Sequence, residues 1–190
     1  MKYSVYLWAL WFAYWVLSAR NRVHDTAEST VQREPFTTRL KYASLMWFGF
    51  LLLLWRGTLP FDRRLWPANL TSLAIGLAIQ IVGLGFTVWA RMVLGANWSG
   101  RIATGGNQQL VTAGPYQLVR HPIYSGLLFA VAGTAVIVGL AKGFLGFAFV
   151  LAGVVVKIHH EEASVRCHFG SQYEDYARRI PALVPRRWLR

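Results

Sequence analysis

IYSGLLFAVAGTAVIVGLAKGFLGFAFVLAGVVV, residues 123–156, holds one charge, Lys142, in 34 positions. As a single α-helix it would run about 51 Å, against a bilayer hydrocarbon core of about 30 Å. It is too long for one span and long enough for two short ones. Gly139, Lys142 and Gly143 mark the turn between them. The stretch therefore predicts a tight helical hairpin inside a membrane.

Upstream, the same composition recurs in three blocks. Tyr3 to Ala19 carries no charge; Tyr42 to Trp55 is shorter and includes four consecutive leucines; Leu70 to Leu94 is interrupted only by Gln80 and Arg91. Together with the hairpin these blocks predict an all-α integral membrane protein with five transmembrane helices. Residues 1–95 would form an N-terminal unit of three helices. Residues 96–190 would hold a cytoplasmic cofactor loop, the hairpin and a helical tail. Glycines inside the blocks, such as Gly76, Gly83, Gly126 and Gly133, read as points of close helix approach, since small residues let backbones meet in lipid. Tyr3, Tyr42, Trp55, Trp66, Trp89 and Trp98 sit near block ends and read as interfacial anchors.

The whole 190-residue composition agrees. Hydrophobic types make up 55% and charged types 15%, too apolar for a disordered chain and too poorly charged for an ordinary soluble domain. The net charge of +12 would suggest nucleic-acid binding in a soluble protein. Here the basic residues lie between apolar blocks, so no nucleic-acid partner is expected. Fifteen of the twenty Lys and Arg fall in the first connection, the third connection with its helix end, and the tail. The positive-inside rule then puts the N-terminus outside and the C-terminus in the cytoplasm. The first block lacks a small-residue cleavage site and reads as a retained helix. The lone Cys167 excludes an internal disulfide and a CxxC motif.

Two polar segments carry the candidate chemistry, and this topology puts both on one side. The first, Asn97 to Gly126, contains the turn dipeptides Gly105-Gly106 and Gly114-Pro115, and Gln109 to Thr112 between them can be extended. It runs through Arg120-His121-Pro122 into the fourth block. Pro122 suits a first helical turn, and His121 before it is biased away from helical geometry. The first-turn N–H groups would lack intrahelical partners, a ready site for a carboxylate. The second segment, Lys157 to Pro185, places Lys157 with Glu161, and Glu162 with Arg166, at i,i+4. Phe169-Gly170 reads as a helix end, and Tyr173 and Tyr176 with Pro181 and Pro185 as an amphipathic piece against the membrane. His159, His160, Glu161, Glu162 and His168 lack an HExxH or ExxH pattern, so no metal is expected. GxSxG, P-loop and GxGxxG motifs are missing as well.

Leu110-Val111-Thr112-Ala113-Gly114-Pro115-Tyr116, Arg120-His121-Pro122-Ile123-Tyr124-Ser125-Gly126, then Glu161-Glu162, Phe169-Gly170, Tyr173, Tyr176 and Pro181, in this order around the hairpin, resemble the isoprenylcysteine carboxyl methyltransferase family, a membrane family related to phospholipid methyltransferases. The resemblance covers roughly Leu94 to Pro185. It implies methyl transfer from S-adenosyl-L-methionine to a lipophilic acceptor at the cytoplasmic membrane face, with carboxylate O-methylation the leading reaction. The cofactor would be held by Gln108, Gln109, Leu110, Val111, Tyr116, His121, Pro122, Ile123, Tyr124 and Glu161. Lys157, Arg120 and Glu161 would serve as catalytic residues.

Two departures stand out. The family has an arginine where this chain has Lys157, which lacks the bidentate fork that suits a carboxylate. Arg101 stands where the prenyl-cysteine enzymes carry a glutamine. The acceptor would reach the site laterally, beside the third and fourth spans. The rival readings are an NADPH-dependent membrane isoprenoid or sterol reductase, a phospholipid N-methyltransferase, and a non-enzymatic membrane scaffold or transporter.

Overall fold

Local signals set the helix boundaries. In the computed structural model, which describes residues 1–18, 35–55, 57, 59, 62–95 and 109–185, six α-helices follow one another. They are α1 (Lys2–Ser18), α2 (Phe36–Leu54), α3 (Leu70–Leu94), α4 (Pro122–Val138), α5 (Ala141–Phe169) and α6 (Ser171–Arg179). A 3-10 turn, Gly114–Gln117, precedes α4. Asn69 begins α3 through a capping box: its side chain accepts from the Ser72 N–H, and the Ser72 hydroxyl accepts from the Asn69 N–H. Pro122 occupies the first turn of α4, as expected of a residue with no N–H to leave unsatisfied. Gly139, at φ 64°, ends α4 in the left-handed region that favours glycine, and α5 starts two residues later.

Among the described residues there is no strand, only an isolated antiparallel bridge between Arg64 and Leu140. Gln109 to Thr112, read as an extended piece, pairs with no strand among the described residues. Helix α2 begins at Phe36, six residues before the apolar block. Arg39 and Lys41 lie in its first two turns and are exposed, where charge costs nothing. By length and composition, α3 and α5 are each apolar and long enough to cross a membrane, whereas α4 has 17 residues.

Two helix pairs are packed backbone to backbone. Helix α3 meets α4 at Gly83 and Gly126, where a Cβ on either would lie 2.6 Å from the carbonyl oxygen of the other. Helix α2 meets α5 in the same way through Gly49 and Gly146. Leu127, Leu128, Val131 and Ala135 of α4 then pack with Val150, Val154 and Ile158 of α5 and Leu53 of α2, giving one shared core. Helix α1 is tied on by polar groups. Trp8 Nε1 donates to Thr134 Oγ1 at 3.0 Å, Trp11 Nε1 to Thr87 Oγ1 at 2.6 Å, and Gln80 Nε2 to the Ser4 carbonyl at 3.1 Å.

At the hairpin end, Lys142 is buried. It donates to Asp62 Oδ2 and the Gly57 carbonyl, while Ala141 N–H bonds Arg63 and Leu65 N–H bonds Gly139. Lys142 therefore clasps the α2–α3 connection to the hairpin. Two aromatic residues expected at the interface also face protein. Tyr42 is buried, and Trp66 Nε1 donates to the Val136 carbonyl. Each found a specific polar or cationic partner inside.

Gly170 separates α5 from α6 at φ 52°. The chain then folds back, and this corrects the reading of the tail as a segment lying on the membrane. Tyr173 and Tyr176, the aromatic side of α6, are buried on the protein, and Tyr176 OH donates to the Tyr116 carbonyl at 2.6 Å. Gly105-Gly106, Trp98, Arg101 and Gln108 lie outside the described residues, as do many of the arginines used to orient the chain.

Candidate active site

The entrance to α4 is fixed by the chain end that folds over it. Arg120 N–H donates to the Pro181 carbonyl at 2.8 Å and His121 N–H to the Ala182 carbonyl at 3.0 Å. Ser125 Oγ donates to the Leu183 carbonyl at 2.7 Å. Residues 181–183 thus form a strap across residues 120–125. His121 is the N-cap of α4 and makes no side-chain cap bond. Pro122 has no N–H, and those of Ile123 and Tyr124, in the first turn, have no carbonyl within the helix to bond.

Beneath the strap, two consecutive carboxylates of α5 face two different groups. Glu161 Oε1 accepts from Tyr124 OH at 2.6 Å, and its Oε2 lies 3.8 Å from His121 Nδ1. Glu162 Oε1 accepts from Arg120 Nε at 2.9 Å and Nη2 at 2.6 Å, and stands 3.1 Å from His121 Nε2. Glu162 Oε2 accepts from Arg166 at 3.2 Å. The remaining Arg120 nitrogen, Nη1, donates to the Ala177 and Ile180 carbonyls at the end of α6. The side chains of Arg120, His121 and Glu162 are each only about a tenth exposed.

Burial alone would raise the pKa of Glu162. Hydrogen bonds from His121 and Arg120, and their nearby charge, outweigh it and bring the carboxyl down to about 2. Burial pushes the Tyr176 phenol up to about 12 and those of Tyr116 and Tyr173 higher still, so all three are neutral donors at physiological pH.

Lys157 stands one turn before Glu161. The sequence suggested an ion pair between them. The ammonium instead lies 5.4 Å from the ring centroids of both Tyr42 and Tyr124, a cation held between aromatic faces. The Tyr124 ring stacks on His121 with centroids 5.8 Å apart. The structure therefore brings together Arg120, His121, Pro122, Ile123, Tyr124, Lys157 and Glu161. Tyr116 joins them through α6. Gln109 is exposed, and Leu110 and Val111 are half-buried, in the chain leading to the 3-10 turn. Gln108 lies outside the described residues. Among those residues no group of three or more His, Cys, Asp or Glu side chains is gathered as a metal site would need.

Residues 74–166 match the isoprenylcysteine carboxyl methyltransferase family. The matched segment makes up just under half of the chain. Within it fall α4, the hairpin, Lys157, Glu161 and Glu162. The chain is 40% identical over 80 residues to protein-S-isoprenylcysteine O-methyltransferase B of Arabidopsis thaliana, covering 42% of this chain and 41% of that one. It is 40% identical over 76 residues to methanethiol S-methyltransferase 2 of Bradyrhizobium diazoefficiens, covering 40% of this chain and 28% of that one. Its fold resembles the solved structure of the eukaryotic intramembrane Ras methyltransferase of the isoprenylcysteine carboxyl methyltransferase type. The TM-score is 0.54 at 25% identity, over 78% of this chain and 50% of that one. The chain thus spans half or less of each of these proteins.

Sequence reasoning took Glu161 into the site and left Glu162 as half of a helix-end pair with Arg166. That pair exists. The larger role of Glu162 depends on Arg120, 42 residues away in the chain. Tyr42 and Tyr176 were read as interfacial, and no local signal distinguishes a tyrosine that faces lipid from one that faces a distant lysine or carbonyl.

Proposed function

We propose that this protein is an S-adenosyl-L-methionine-dependent methyltransferase acting on a lipophilic acceptor with an anionic head, at the cytoplasmic face of a membrane. The observation that carries the reading is the meeting of His121, at the start of α4, with Glu161 and Tyr124, inside the segment that matches the methyltransferase family. That donor and acceptor set fits the cofactor. The α4 N-terminus and His121 suit a carboxylate. Glu161 suits amino or ribose hydroxyl groups, and the Tyr116 and Tyr124 rings suit a positively charged sulfur. Gln108, Gln109, Leu110, Val111, Pro122 and Ile123 complete the proposed cofactor set. When bound, the cofactor supplies a methyl group activated by that sulfur.

The remaining work falls to the chain itself. A carboxylate acceptor is already ionised near neutral pH and needs no strong base. Alignment and exclusion of water are what the site has to provide. Lys157, fixed between two rings, positions the acceptor's negative head. The 181–183 strap covers the start of α4. Arg120, with every guanidinium nitrogen bonded within the protein, is a positioning residue in this reading rather than one that touches the acceptor.

Five spans, with residues 1–95 as a three-helix unit and 96–190 as the catalytic unit, fit this function. The distribution of Lys and Arg supports a cytoplasmic C-terminus. A thiolate acceptor is a second reading. The point charge of Lys157 favours a single-atom anion over a carboxylate, and one relative is named as an S-methyltransferase.

Calorimetric titration of detergent-purified protein with S-adenosylhomocysteine, with NADPH in parallel, tests the cofactor. We expect saturable binding of the first alone, strongly weakened in His121→Ala and Glu161→Ala variants that remain folded. Binding of NADPH alone, or full affinity in both variants, would overturn the reading. With a labelled methyl donor, base-labile product would mark an ester and base-stable product a thioether.

A further inference from the structure

The histidine of the candidate site is held by a carboxylate that belongs to none of the assignments above. His121 has two ring nitrogens, and they face opposite neighbours. Nε2 lies 3.1 Å from Glu162 Oε1, and Nδ1 lies 3.8 Å from Glu161 Oε2. The nearer contact is also the better anchored. The same Glu162 oxygen takes two bonds from Arg120, whose third nitrogen is tied to the Ala177 and Ile180 carbonyls, and the other Glu162 oxygen is held by Arg166. A carboxylate gripped at both oxygens cannot swing to follow the ring, so the ring must follow it. Arg120 cannot accept a hydrogen bond, and an ionised Glu162 cannot donate one. The proton in the Nε2 contact therefore belongs to the histidine.

We infer that Glu162 is a positioning residue for His121: it holds the Nε2–H, and so turns Nδ1 towards Glu161 and the open first turn of α4. The inference rests on the proposed function, in which that first turn is where the cofactor binds. Glu162 itself meets neither cofactor nor acceptor. Its effect reaches the site only through the imidazole. The orientation matters because a histidine released from Glu162 would present either nitrogen, and the Tyr124 ring that stacks on it would lose its fixed partner.

A double-mutant cycle separates this role from a merely structural one. S-adenosylhomocysteine affinity is measured by calorimetry for the wild type, Glu162→Gln, His121→Ala and the double variant, each shown to be folded by thermal unfolding in detergent. Loss of a charged hydrogen bond predicts an affinity about 10- to 100-fold weaker in Glu162→Gln. In the His121→Ala background the same substitution should change affinity less than about twofold, because the residue it acts through is gone. Equal losses in both backgrounds would overturn the inference and assign Glu162 to fold maintenance. Wild-type affinity in His121→Ala would instead reject the proposed cofactor site.

The second measurement needs no substitution at Glu162. In protein labelled with ring-15N histidine, the His121 signals, identified by their loss in His121→Ala, should show a protonated Nε2. An Nε2 without a proton would refute the assignment even if Glu162→Gln fails to fold.

Discussion

Gly83 and Gly85 lie two residues apart on α3 and should respond to the same substitution with opposite signs. At Gly83 an added methyl would lie 2.5 Å from the Ala130 N and 2.6 Å from the Gly126 O, both backbone atoms of α4. Neither can rotate away, so the two helices must part by about 0.9 Å to restore an ordinary 3.4 Å contact. Overpacking of this kind costs about 1–3 kcal/mol. For a protein of this size that corresponds to a fall in Tm of about 2–12 °C. At Gly85 an added methyl meets nothing within 4 Å, and the residue is exposed. There the substitution only removes backbone freedom from a helix interior and should stabilise by about 0.5–1 kcal/mol. Thermal unfolding of Gly83→Ala and Gly85→Ala in the same detergent reads the difference. If Gly83→Ala is as stable as Gly85→Ala, the backbone contact between α3 and α4 is not what holds the pair together.

Three further outcomes follow from the site. Lys157→Ala should lower turnover by at least about tenfold while changing S-adenosylhomocysteine affinity little, since its ammonium is proposed to meet the acceptor; the opposite pattern in steady-state kinetics and calorimetry would make it a structural cation. The Glu162 carboxyl, held near 2 against an ordinary 4.5, contributes stability that is complete above 4.5 and is lost as pH falls towards 2. Limited acid proteolysis of the 171–183 segment should accordingly set in within that window, and cleavage already complete at pH 5 would contradict the assigned network. Tyr176→Phe removes one buried hydrogen bond to the Tyr116 carbonyl and should cost about 1–3 kcal/mol, read as a lower Tm, because that carbonyl is left without its donor.

Much of the fold was legible in the sequence. The third apolar block, Leu70 to Leu94, coincides with α3 because the capping residue Asn69 and the terminal Gly95 stand immediately outside it. The hairpin turn at Gly139 and the helix end at Gly170 were readable for the same reason: a positive φ favours glycine. The start of α2 was less so, since an apolar count stops at Lys41 whereas a helix can carry exposed charges in its first turns.

In the site, His121, Tyr124 and Glu161 were accessible as motif positions. Glu162 was not. Consecutive residues on a helix point about 100° apart, and which one meets Arg120 depends on how α5 is rotated against α4. The fold-back of α6 was hidden for a related reason. An amphipathic aromatic segment satisfies a membrane surface and a protein groove equally well, and long-range bonds, from Tyr176 to Tyr116 and from Arg120 to Ala177 and Ile180, separate the two.

The strap over α4 has a consequence for how the protein is made. Arg120 is bonded to the carbonyl of Ile180, 60 residues later, and Pro181, Ala182 and Leu183 close over it. At 5–20 residues per second, a ribosome adds Ile180 about 3–12 s after Arg120. Through that interval the helices upstream can enter the bilayer and pair, and Glu161 and Glu162 can reach their partners, but the N–H groups of Arg120 and His121 still lack the carbonyls of residues 181 and 182. The strap thus assembles after the helices it covers, and a nascent chain stalled between α5 and Pro181 would be inserted in the membrane yet have no closed site.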